Sequence, residues 1–261
     1  MPGCLVRTKK YAIIYFINTR KRKVWYHFAV LFFTDMAVTL TKRLATVAEL
    51  VRGGAYFADV GTDHGYLPVW LVQNGRISRA IAADINAKPL ASAQKTIEKH
   101  HLEQQIVTIC SDGLENVDPS VEDIAIAGMG GELIAQIIGR AEWIKNPQKN
   151  LLLQPMTQAA HLRRYLAENG FAVLREQPAQ EGRRLYIVLQ ACWDGKKRVL
   201  SDAEALAGRC LEQTDELSQR YLKSAADKQR KIAAGLKTAE NFTEAKRREA
   251  LAEELERFLL K

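Results

Sequence analysis

The chain has 261 residues, 47% of them apolar, which is enough for one α/β domain with a smaller appendage and excludes disorder throughout. Its net charge is +8, but residues 1–35 hold seven basic against one acidic side chain, whereas residues 36–261 hold 31 against 29. The basic character is therefore concentrated at the N-terminus, and the overall balance says little by itself about a nucleic-acid partner.

In chain order, Arg20-Lys21-Arg22-Lys23 precede an apolar stretch through Phe28–Phe33, a signal-like order with no small-residue cleavage site behind it. Met36 stands just before the first well-formed helix, Thr41 to Val51. An upstream start codon or an artefactual extension explains residues 1–35 better than a basic arm does, because nothing in them is needed by the core. Short Val-, Ile- and Ala-rich runs then alternate with helical stretches, the pattern of a parallel sheet covered on both faces. Strands are expected near Tyr56–Val60, Arg79–Asp84, Ile106–Cys110, Asp123–Ala127, Asn150–Leu153, Ala172–Glu176 and Leu185–Ala191. Helices are expected near Tyr66–Asn74, Lys88–His100, Glu132–Arg140 and Ala159–Glu168. The last two strands, joined at Gln180-Glu181-Gly182, should pair antiparallel at one edge.

Seven strands closing in such a hairpin resemble the Rossmann-like α/β sheet of class I methyltransferases, which is the fold expected here. After Asp194 the composition turns to Ala, Leu, Glu, Lys and Arg, with Leu206, Cys210, Leu217 and Tyr221 on one stripe and Leu251, Leu255 and Phe258 on a second, after Asn241. A coiled-coil-like α-helical hairpin is expected there. The divisions are thus residues 1–35, an extension; 36–194, the α/β domain; and 195–261, the helical appendage. Cys4, Cys110, Cys192 and Cys210 form no Cys-x-x-Cys pair, so no metal site or disulfide framework is expected and a reducing cytoplasm fits. No run approaches the roughly 20 apolar residues that cross a bilayer.

The first strand ends in Asp59-Val60-Gly61-Thr62-Asp63-His64-Gly65, whose glycines let backbone approach a ligand. Asp63 at the following helix terminus would repel a pyrophosphate, which argues against a nicotinamide-dependent oxidoreductase. The sulfonium and ammonium of S-adenosylmethionine are cations and suit Asp59 and Asp63; a helix N-cap is the alternative role for Asp63. Asp84 ends the second strand, 23 residues after Gly61, where a carboxylate can accept both ribose hydroxyls. Asp112, in Ser111-Asp112-Gly113 after the third strand, can receive an adenine amino group or simply make a turn.

The fourth strand ends in Ala127-Gly128-Met129-Gly130-Gly131, bare backbone beside a transferable methyl group. There is no Asn/Asp-Pro-Pro-aromatic motif for an exocyclic amine and no strand-end cysteine nucleophile, so an acceptor with its own lone pair, such as a ring nitrogen, fits best. Gln154, after Leu151-Leu152-Leu153, can present an amide to a base edge or cap the strand. His161, Arg163, Arg164, Arg183 and Arg184 are candidate phosphate contacts or solvated charges.

Taken together, Leu40-Thr41-Lys42-Arg43-Leu44, Asp59 through Pro68, Ala127 through Gly131, and Leu152-Leu153-Gln154-Pro155 resemble the bacterial tRNA (adenine-22-N1)-methyltransferase family over roughly residues 36–261. Thr62 and Gly65 stand where the family often has Ser and Ala, and Met156 where it usually has Asn. The resemblance implies an S-adenosylmethionine-dependent, cytoplasmic tRNA methyltransferase with no obligatory protein partner. It implies that Asp59, Gly61, His64, Asp84, Asp112 and the Gly128-Met129-Gly130 backbone hold the cofactor, with Arg43 near its carboxylate. Asp63 and Gln154 are the implied catalytic pair, and the helical hairpin, with 15 basic and 12 acidic residues over 196–261, the implied tRNA grip. A methyltransferase of ribosomal RNA and a non-catalytic RNA-binding protein on the same fold are the alternatives.

Overall fold

The Val-, Ile- and Ala-rich runs alternate their side chains between two apolar layers, one on each face of a seven-stranded sheet. The computed structural model describes residues 37–259, so the expected extension at 1–35 lies outside the described residues. In chain order the main elements are α1 (Lys42–Leu50), β1 (Phe57–Val60), α2 (Tyr66–Gln73), β2 (Ala80–Asp84), α3 (Ala87–Lys99), β3 (Ile106–Cys110), β4 (Asp123–Gly130), α4 (Gly131–Arg140), β5 (Asn150–Thr157), α5 (Ala159–Glu168), β6 (Phe171–Glu181), β7 (Arg184–Trp193), α6 (Asp202–Ala207), α7 (Glu216–Thr238) and α8 (Phe242–Glu256).

The sheet order is β3-β2-β1-β4-β5-β7-β6. β1 to β5 are parallel, and β7 runs antiparallel to both β5 and β6. Ala58, Val60, Ile124 and Ile126 pack with α4 and α5; Phe57, Ala125 and Leu152 pack with α1, α2 and α3. The chain moves outward from β1 to β3 and then crosses back to β4, so a ligand crevice opens at the carboxyl ends of β1 and β4.

Two expectations are corrected. β5 was expected to stop at Leu153 but runs to Thr157 through Pro155. The missing proline N–H is tolerated because β4 shifts register there and β7 pairs with β5 only at residues 151–153. The stripe expected at Leu206, Cys210, Leu217 and Tyr221 does not lie on one helix. Gly208, at φ +56°, ends α6 and opens a turn of 3-10 helix, and Asp215 caps α7 by accepting from the Ser218 amide. The buried face of α7 is Ser218, Leu222, Ala226, Gln229 and Ala233, and Leu222 and Ala226 cluster with Leu251 and Leu255 of α8. The helical hairpin itself is present as expected.

The appendage is joined to the α/β domain through Arg163, which also forms a buried ion pair within that domain. Arg163 of α5 donates to both Glu176 oxygens at 2.9 Å and to the Ala205 and Leu206 carbonyls at 2.9 and 3.0 Å. Burial opposes the guanidinium charge, but the Glu176 carboxylate outweighs it and holds Arg163 above its ordinary range. A Cβ on Gly208 would strike both partners, so glycine is required there for space as well as for its backbone angle. Gln213 donates to the Glu176 carbonyl at 3.0 Å and covers part of the β6 edge. Among the described residues no helix is long and apolar enough to cross a membrane, no cluster suited to a metal ion occurs, and Cys110, Cys192 and Cys210 are free thiols.

Glu176→Gln leaves the Arg163 charge buried without its counter-ion and is expected to cost about 3–5 kcal/mol in urea unfolding. The double variant Arg163→Met/Glu176→Met removes both charges and is expected to lose much less, so the two together measure the coupling.

Candidate active site at the strand ends

Gly61 leaves β1 at φ +80°, and its N–H donates to the Ala83 carbonyl at 2.8 Å, tying this turn to the end of β2. A Cβ at Gly61 would also collide with the Met129 methyl, so the ends of β1 and β4 touch through bare backbone and a thioether. Asp59 and Thr62 are buried beside this turn, and the Thr62 hydroxyl completes no hydrogen bond of ordinary geometry among the described residues. At the end of β2, Asp84 accepts from the Asn86 backbone and side-chain amides at 2.7 and 3.2 Å, which shapes the entry into α3.

Beyond the buried Thr62, the loop carries its side chains outward. The N-cap of α2 is Gly65, with no side-chain cap, so the capping role considered for Asp63 is not the one it has. Asp63 is exposed and lies 3.3 Å from His64 Nε2, and the His64 ring stacks on Tyr66 with centroids 5.1 Å apart. Tyr66, half exposed on the first turn of α2, was not singled out from the sequence.

Gln154 is fully buried, and its amide is occupied at both ends. Its Oε1 accepts from Arg43 Nη1 at 2.6 Å and from the Gly128 N–H at 3.1 Å; its Nε2 donates to the Pro155 carbonyl at 3.0 Å and reaches the Met156 sulfur at 3.8 Å. The amide thus holds Arg43 and the Gly128 turn in place instead of offering an edge to a base, which corrects the contact expected of it. Arg43 Nε also donates to Glu181, at 3.4 Å, at the tip of the β6–β7 hairpin. Glu181 was read only as part of a turn, since nothing local links it to a residue 138 positions away.

Asp112 lies after β3 as expected, but both its oxygens accept from Arg140 of α4, at 2.8 and 3.0 Å. Those hydrogen bonds hold its carboxyl below the usual range. Of the proposed phosphate contacts, Arg163 is buried in its ion pair, and Arg164 is tied to Asp202 and the Leu200 carbonyl. His161, Arg183 and Arg184 are exposed.

Residues 40–189 match the family described as "Methyltransferase domain". The tRNA (adenine(22)-N(1))-methyltransferase of Bacillus subtilis (strain 168) is 41% identical over 153 residues, which are 58% of this chain and 64% of that protein, so the match spans just under two thirds of its length. The crystal structure of the B. subtilis M1A22 tRNA methyltransferase TrmK superposes with a TM-score of 0.74 at 30% identity, covering 84% of this chain and 99% of that one. The chain belongs to the tRNA (adenine-22-N1)-methyltransferase family. TrmK of M. capricolum, in complex with S-adenosyl-homocysteine, superposes with a TM-score of 0.71 at 28% identity, covering 83% of this chain and 98% of that one.

For a member of this methyltransferase family, the most telling electrostatic feature is the acid inside β1. Burial pushes the Asp59 carboxyl up to about 6; the Thr62 hydroxyl opposes the shift and the Asp84 charge adds to it. A buried acid of this kind lowers the stability of the free protein and favours a cationic ligand placed against it.

Because the shift runs upward from 3.8, Asp59 adds no penalty below the ordinary carboxyl value, and the penalty grows as pH rises through about 6. Asp59→Asn is therefore expected to be more stable than the parent by about 3 kcal/mol near neutral pH. The difference should vanish on acidification toward pH 4, read from urea midpoints at each pH.

Proposed function

We propose that this chain transfers a methyl group from S-adenosyl-L-methionine to N1 of the adenine at position 22 of tRNA, in the cytoplasm. The observation that carries the reading is the superposition on 99% of the B. subtilis M1A22 tRNA methyltransferase at 30% identity.

The residues at the strand ends fit the cofactor on their own chemistry. The buried Thr62 hydroxyl lacks a well-formed hydrogen bond, Asp59 is a buried acid suited to a cation, and Gly61 keeps the β1 turn free of a side chain. Asp59, Gly61, His64, Asp84, Asp112 and the Gly128, Met129 and Gly130 backbone would hold it, and Arg43, whose Nε and Nη1 already donate to Glu181 and Gln154, would offer its remaining N–H groups to the cofactor carboxylate. When bound, S-adenosyl-L-methionine supplies a methyl group on a sulfonium, electrophilic enough for direct displacement by a ring nitrogen.

The protein then contributes proximity, orientation and charge stabilisation, with no covalent nucleophile. Asp63 accepts a hydrogen bond from the exocyclic amino group of the acceptor adenine and stabilises the positive charge that develops on its ring. Gln154 acts through its neighbours by fixing Arg43 and Gly128. N1 lies on the Watson–Crick edge, so the base must leave its stack to react. The exposed Lys223, Lys228 and Lys231 give the outer face of α7 a basic surface for the tRNA.

The test is incubation with radiolabelled S-adenosyl-L-methionine and unmodified tRNA transcripts that carry adenine or guanine at position 22, followed by digestion to nucleosides. Label as 1-methyladenosine from the adenine-22 transcript alone is expected; equal label from the guanine-22 transcript, or none from either, would overturn the reading. In the same assay Asp63→Asn is expected to lower kcat about 100-fold with little change in cofactor affinity.

A further inference from the structure

We propose that the tip of the β6–β7 hairpin is a phosphate-binding site for the RNA, in which Arg183 and Arg184 hold the backbone beside the acceptor nucleotide. The inference rests on the RNA methyltransferase reading above.

Topology places the tip at the site. Because β7 runs antiparallel to β5, the start of β7 lies toward the carboxyl end of β5, the edge where Gln154 meets Gly128. Pairing with β5 stops at Leu153 opposite Leu189, while β6 and β7 continue pairing with each other out to Glu181 opposite Arg184. The hairpin therefore projects past its neighbour along the edge of the crevice.

The tip is anchored on both sides. Glu181 accepts from Arg43 at 3.4 Å, and Arg43 donates in turn to Gln154 at 2.6 Å, so a short chain of polar contacts joins the tip to the β4 and β5 ends. On the other side Gln180 accepts from Arg220 of α7 at 2.8 Å and donates to the Gly182 carbonyl at 2.9 Å. The turn thus bridges the candidate active site and the first long helix of the appendage.

The tip carries two adjacent positive charges with no ion pair among the described residues, whereas several arginines elsewhere are paired. Arg43, Arg52, Arg140, Arg163, Arg198 and Arg230 are each committed to a carboxylate. Arg183 and Arg184 are exposed and make no ion pair among the described residues, and the adjacent acid, Glu181, is taken by Arg43. Two guanidinium groups adjacent in sequence on a braced turn, outnumbering the one nearby acid, Glu181, suit bidentate contact with phosphate oxygens.

The experiment is filter binding of unmodified tRNA transcript over a range of salt concentrations, using the parent chain, Arg183→Ala/Arg184→Ala and Arg183→Lys/Arg184→Lys. The Ala pair is expected to weaken tRNA binding about tenfold at moderate salt and to lower the slope of log affinity against log salt by one to two, while the Lys pair keeps the slope. Cofactor titration reports the fold; should the Ala pair fail to bind cofactor, the single Arg183→Gln and Arg184→Gln variants give the same slope reading. Parental affinity and slope in the charge-removing variants would overturn the proposal. Failure of the methylation reading shows separately, as a parent chain that methylates no tRNA.

Discussion

The buried carboxamide of Gln154 is the contact on which the arrangement of the site depends. One oxygen accepts from a guanidinium on α1 and from a backbone amide at the end of β4, and the nitrogen returns to the carbonyl of Pro155. A buried amide left unpaired would be costly, so these partners are fixed relative to one another. Three segments far apart in sequence, α1, the Gly128 turn and the end of β5, are thereby held at one point. Through Arg43 the β6–β7 tip is added as a fourth.

Around that point the protein separates two kinds of polar burial. Arg163 and Glu176 are fully matched and secure the appendage to the α/β layers, where Gly208 leaves room for nothing more. At the first strand end, beside the crevice, Asp59 is an acid whose pKa burial pushes upward, and the buried Thr62 hydroxyl lacks a well-formed hydrogen bond. The first pairing favours a stable fold. The second lowers stability and, on the function proposed above, would be where a cationic, hydroxyl-bearing ligand completes the missing interactions.

The elements legible in the sequence were those whose pattern is local. β1 to β4 are short runs of Val, Ile and Ala bounded by Gly and Asp, and their ends placed Asp59, Asp84 and Asp112 on one edge of the sheet as expected. The far end of β5 was hidden because Pro155 reads as a strand breaker, and it is harmless only where β7 has ceased to pair. The break between α6 and α7 was hidden for a similar reason: Leu206, Cys210, Leu217 and Tyr221 keep helical spacing across it, while Gly208 answers to the distant Arg163–Glu176 pair. The partners of the site residues were the least legible. Arg140 is 28 positions from Asp112 and Arg43 is 111 from Gln154, and no periodicity connects residues that meet only after the sheet has formed.

The claim that Gln154 organises the site is tested most directly by calorimetric titration of S-adenosyl-L-methionine into Gln154→Leu, which fills similar space but accepts from neither Arg43 nor Gly128. The account predicts a folded protein whose cofactor affinity falls tenfold or more, in line with loss of about 1–3 kcal/mol when a buried donor is left unmatched. A folded Gln154→Leu protein that binds the cofactor as tightly as the parent would contradict it.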